Sequence, residues 1–123
     1  MKPVALLIHA PDVPAALAWY TSVFPNAKQI YHAAFDFTAL DVDGFLLEIV
    51  PGDEKVSAGL AGTVVYWAVE DLALGIDRLQ QLGAVLYRGP IAIENGLGMC
   101  QFKEPFGNLI GLRGAFTFKD SWK

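Results

Sequence analysis

The chain has 123 residues, 54% of them hydrophobic and 18% charged, with a formal net charge of −4. At this length one ordinary domain can bury about two-thirds of the surface its unfolded chain exposes. No lysine- or arginine-rich stripe is present to neutralise phosphates, which excludes nucleic acid as a partner, and no apolar run approaches the roughly 20 residues of a membrane span.

The opening segment MKPVALLIHAPDV has a strand-like pattern without the small-residue cleavage chemistry of a signal peptide. The lone Cys100 cannot pair within the chain. Both features lead us to expect a cytoplasmic protein.

The first strand-like run, VALLIHA, precedes Asp12, a helix N-cap with Pro14 in the first turn, where a missing N–H is harmless. Val13, Ala16, Leu17, Tyr20, Val23 and Phe24 then follow the spacing of one buried helix face. Strands are expected near 27–33, 34–41 and 45–50, the last two joined through the hairpin dipeptide Asp43-Gly44. The polar stretch PGDEKVSAG serves as a joint. A second strand-like run, TVVYWAV, leads to Asp71 and to Leu72, Gly75, Ile76, Leu79, Leu82 and Gly83, which repeat the first helix pattern 59 positions later. Strands near 84–88, 97–103 and 107–113 complete this half, with breaks at Gly89-Pro90 and Asn95-Gly96 and a turn over Glu104-Pro105-Phe106-Gly107. The closing strands GFLLEI and GNLIGL also correspond, offset by 63.

Each half therefore reads β-α-β-β-β, and one half alone would leave a sheet face open. The expected class is α+β, built from two tandem βαβββ modules in one domain over 1–123. Module one spans 1–51, a linker 52–60, module two 61–116 and a polar tail 117–123.

This order, together with PDVPAALAWYTSVF, VEDLALGIDRLQQLG and EPFGNLIGL, resembles the vicinal oxygen chelate superfamily, the glyoxalase, bleomycin-resistance and extradiol dioxygenase group. The resemblance implies two modules around a pocket. In the metal-dependent members it also implies a cation held by side chains from the first and last strand of each module. Matched motif to motif, those positions fall at Ala5, Val64, Glu48 and Gly111, of which only Glu48 carries a donor. His9 lies four residues past Ala5 on the same face, roughly 13 Å along a strand, too far to substitute; His32 would need a different register. The expectation is a protein with no metal and no cofactor.

Glu48, the one ionisable residue of FLLEIV, is the best candidate for chemistry, since a carboxyl among apolar neighbours must be paired, protonated or useful. Its bland alternative is an ion pair with Arg113 or another base. By two-residue alternation His9, Leu46, Tyr66, Leu109 and Arg113 share the faces of the ligand positions, as do Leu7, Val50 and Ala68, giving an apolar wall with a few polar handles. Trp67 has opposite parity to Tyr66 and should pack beneath a helix. Cys100 lacks a neighbouring base motif and reads as a buried thiol.

Two functions follow. The first is metal-free binding or sequestering of a small apolar or aromatic molecule, bleomycin-resistance-like, by a homodimer. The alternative is a glyoxalase-related lyase or isomerase with Glu48 as general base.

Overall fold

The computed structural model describes residues 1–118, so residues 119–123 of the expected tail lie outside the described residues. The chain divides into two compact units, Met1–Ala58 and Gly59 onward. Each carries one helix and one four-stranded mixed sheet, an α+β arrangement.

In the first unit β1 (Ala5–His9) leads into α1 (Val13–Val23), then β2 (Lys28–His32), β3 (Phe37–Val42) and β4 (Phe45–Val50). The sheet order is β1-β4-β3-β2, with β1 parallel to β4 and the other pairs antiparallel. Asp12 caps α1 by accepting the Ala15 amide at 3.1 Å. Ala16 and Tyr20 on α1 and Leu40, Leu47 and Ile49 on the sheet are buried, so the helix seals one face. Gln29 Nε2 donates to Thr21 Oγ1 of α1 at 3.4 Å, which marks the Leu6–Leu47–Leu40–Gln29 row as facing the helix.

The second unit repeats the plan with β5 (Tyr66–Asp71), α2 (Leu72–Gln81), β6 (Val85–Ala92), β7 (Leu97–Lys103) and β8 (Leu109–Ala115), in the order β5-β8-β7-β6. Asp71 caps α2 through the Leu74 amide at 3.2 Å. Gly75 lets α2 approach closely: a Cβ there would stand 3.1 Å from Leu112 Cδ1 and 3.4 Å from Val69 Cγ2. Trp67 pairs in register with Leu112, on that helix-facing side. The carboxylate of Glu104, only 3% exposed, accepts the amides of Phe106 and Asn108 at 2.8 Å each and so fixes the turn into β8.

Three local expectations are corrected. The strand expected over 34–41 starts only at Phe37, after a 3₁₀ turn over Ala33–Phe35 and Asp36 at φ 47°, whose carboxylate accepts the Tyr31 hydroxyl at 2.8 Å. Gly89-Pro90 does not end β6. The strand continues to Ala92 with register shifts around Arg88, because β6 is an edge strand, where a proline without N–H and a glycine at φ 90° are tolerated. Finally, Val64 precedes β5 instead of lying in it.

No helix among the described residues is long and apolar enough to cross a membrane.

Candidate functional site

With one face of each sheet against a helix, the opposite face carries the side chains open to chemistry. In the first unit that face has three rows: Ala5–Leu46–Asp41–Lys28, Leu7–Glu48–Ala39–Ile30, and His9–Val50 continuing toward Phe37 and His32. Glu48 is half-buried between Leu7 and Ala39, and among the described residues of its own unit its carboxylate makes no hydrogen bond or ion pair. Leu7 is 52% exposed, so the wall beside the carboxylate is open and apolar. Leu46 is one row away on the same strand face.

This register moves the row expected for a cation. Ala5 stands beside Leu46, not Glu48, and Leu7 is the first-strand neighbour of the carboxylate. In the second unit Gly111 is paired with Tyr66, not with Val64. The correction is two residues at both places, so the faces are unchanged and only the rows shift. It also brings His9 to within two residues of the Glu48 row, roughly 7 Å along the strand. The nearby Asp53 carboxyl is held below its ordinary value chiefly by the amides of Val56 and Lys55, with His9 the smallest contribution. His32 sits on the edge strand, exposed, its ring stacked on Phe37 at 6.2 Å.

The second unit's open face is more closely built. Tyr66, Gly111, Gln101 and Arg88 form one row, and Ala68, Arg113, Met99 and Ile91 the next. The Tyr66 ring lies on Gly111, where an added Cβ would come within 2.6 Å of Tyr66 Cδ1. Gln101 Nε2 donates to the Tyr66 hydroxyl at 2.7 Å, and the Arg113 guanidinium stands 4.7 Å from the ring centroid. Tyr66 and Arg113 are thus in contact, while Leu109 begins β8 beside Lys103. Lys103 in turn lies over the Tyr87 ring at 5.1 Å.

Sequence reasoning missed Gln101 and Arg88. The signal for Gln101 was present, since it alternates with the apolar Cys100 and Phe102, which places it on the opposite face. Arg88 reaches the open face only through the irregular register of β6, which simple alternation does not reveal. Cys100 is a buried thiol on the helix side, its pKa pushed up to about 11 by burial.

No family model matches the sequence, and no curated protein matches it. Solved structures do. A glyoxalase/bleomycin resistance protein/dioxygenase family enzyme from Burkholderia phytofirmans PsJN superposes with a TM-score of 0.72 at 15% identity, covering 92% of this chain and 98% of its own. FosX, a fosfomycin resistance protein from Listeria monocytogenes seen with Mn(II) and sulfate, gives 0.68 at 15% identity over 94% and 90%. An integron cassette protein from V. cholerae gives 0.69 at 16% identity over 93% and 94%. The chain therefore has the vicinal oxygen chelate fold.

A metal such as the one in FosX does not fit the donors found here. Glu48 has Leu7 and Ala39 as row neighbours, and Gly111 has a tyrosine ring laid across it whose hydroxyl accepts from Gln101. Among the described residues no group of three or more histidine, cysteine, aspartate or glutamate side chains is placed to hold an ion.

Proposed function

We propose that this protein binds or sequesters a small apolar or aromatic molecule without a metal. The observation that carries the reading is the replacement of donors along the two key rows: Leu7 beside Glu48, and Tyr66 lying over Gly111. Neither leucine nor glycine offers an electron pair from its side chain, and one carboxylate cannot hold a divalent cation selectively. What the rows offer instead is apolar area, an aromatic ring and a few polar handles, the make-up of a small-molecule site.

A homodimer belongs to the same proposal. Leu7 on edge strand β1, Tyr31 on edge strand β2, and Val85, Tyr87 and Ile91 on edge strand β6 are large apolar side chains left exposed. Apolar side chains on open sheet edges suit pairing with a second copy.

The direct test is equilibrium dialysis against manganese or zinc, followed by elemental analysis of the protein. The proposal expects no ion retained above background after extensive dialysis. One ion per chain, lost in Glu48→Gln, would remove it and favour a metal-dependent activity of the fold.

A further inference from the structure

We infer that the open face of the β5-β8-β7-β6 sheet receives an oxyanion on the bound molecule, with Arg113 and Arg88 as its cations and Tyr66 and Gln101 fixing the geometry. This deepens the binding reading above and rests on it.

The first observation is charge. In a chain of net charge −4, three of the nine lysines and arginines, Arg88, Lys103 and Arg113, stand on this one sheet face. The two rows that hold Arg88 and Arg113 contain no acidic side chain: their other members are Tyr66, Gly111, Gln101, Ala68, Met99 and Ile91. Within their unit, neither arginine has a carboxylate partner among the described residues, and both are exposed. The attraction for an anion is therefore local to this face and opposed by the molecule's overall charge.

The second observation is preorganisation. Three contacts hold the Arg113 group in one place: Gly111 gives the Tyr66 ring room to lie flat on the strand, Gln101 anchors its hydroxyl at 2.7 Å, and the ring supports the guanidinium at 4.7 Å. A guanidinium engaged by an aromatic ring keeps its in-plane N–H groups available, and that planar fork matches two oxygens of a carboxylate. Arg88 lies two strands away, roughly 10 Å across the sheet, on the far side of Gln101. A ligand with an apolar body and one oxyanion then lies over Met99 and Gln101 with a cation at either side.

The test is a titration of the whole chain, in chelator, followed through its backbone amide resonances. The probes are sodium benzoate, its neutral counterpart benzamide, and inorganic phosphate. Benzoate is expected to move the signals of Met99, Gln101, Gly111 and Arg113, to weaken as salt is added, and to bind about tenfold or more tightly than benzamide. Arg113→Met should cost benzoate about tenfold or more in affinity with the thermal midpoint unchanged, and Arg113→Lys should recover only part of it. A response to phosphate alone assigns the oxyanion to a phospho group in place of a carboxylate. The inference is overturned if neither anion moves those signals, or if the response survives in both Arg113→Met and Arg88→Met. Benzamide binding as tightly as benzoate would also overturn it while leaving metal-free binding intact. A retained ion in the dialysis experiment strikes only the earlier proposal, because the titration is run in chelator.

Discussion

Gly111 shows how one missing side chain shapes the candidate site. The Tyr66 ring fills the space a Cβ would take, and from that position it meets both Gln101 and Arg113. Gly111→Ala should therefore displace the ring and cost about 1–3 kcal/mol, the usual range for overpacking a close-packed contact. Chemical denaturation reads this directly, and an unchanged midpoint would mean that the ring has another place to lie. Cys100 offers a second reading at this scale. Its thiol has a pKa of about 11 against an ordinary 9.0, because burial disfavours the thiolate. A raised pKa on an acid means that the folded state holds its proton more tightly, so the associated stability is complete below pH 9.0 and is lost as pH rises toward about 11. Stability should fall by on the order of 2–3 kcal/mol across that window, and Cys100→Ala should flatten the decline. A profile identical in the two proteins would contradict the burial of the thiol.

The repeated element is a capped helix laid on a four-stranded sheet, and its caps are the simplest parts to test. Asp12 and Asp71 each accept an amide three residues on, at 3.1 Å and 3.2 Å. Asp71→Ala should cost about 1 kcal/mol, as should Asp12→Ala, and Asp71→Asn should cost much less. Equal loss in Asp71→Ala and Asp71→Asn would point to charge instead of capping as the cause. These helices were legible in the sequence because capping and a 3.6-residue period are local signals, and Asp12-Pro14 and Asp71 state them directly. The sheet faces were legible for a similar reason: side chains alternate with a period of two, so Glu48, Leu46, Tyr66, Leu109 and Arg113 could be assigned a face without knowing any partner. The rows were not legible. A shift of two residues preserves the face but changes the neighbour, so Ala5 and Val64 satisfied the pattern as well as Leu7 and Tyr66 did. Only cross-strand pairing separates them, and pairing is a non-local property. Gly89-Pro90 misled for a related reason, since its effect depends on β6 being an edge strand, which the local sequence does not state.

At the scale of the whole molecule, each unit covers one sheet face with its own helix and leaves the other open, the face to which the proposed function assigns the ligand. The first unit contributes a single carboxylate among apolar neighbours. The second contributes Arg113 and Lys103, each against an aromatic ring, Tyr66 and Tyr87. A fold shared with FosX at 15% identity here places Leu7 beside Glu48 and Tyr66 beside Gly111. The exposed apolar residues on β1, β2 and β6 are the ones that the proposed homodimer would cover. The most direct test of the central claim is native mass spectrometry of freshly purified protein, with and without chelator. The expected result is a dimer carrying a small organic adduct whose mass and occupancy do not change when chelator is added. A mass increment equal to one divalent ion per chain, or an adduct that leaves with the chelated metal, would contradict it.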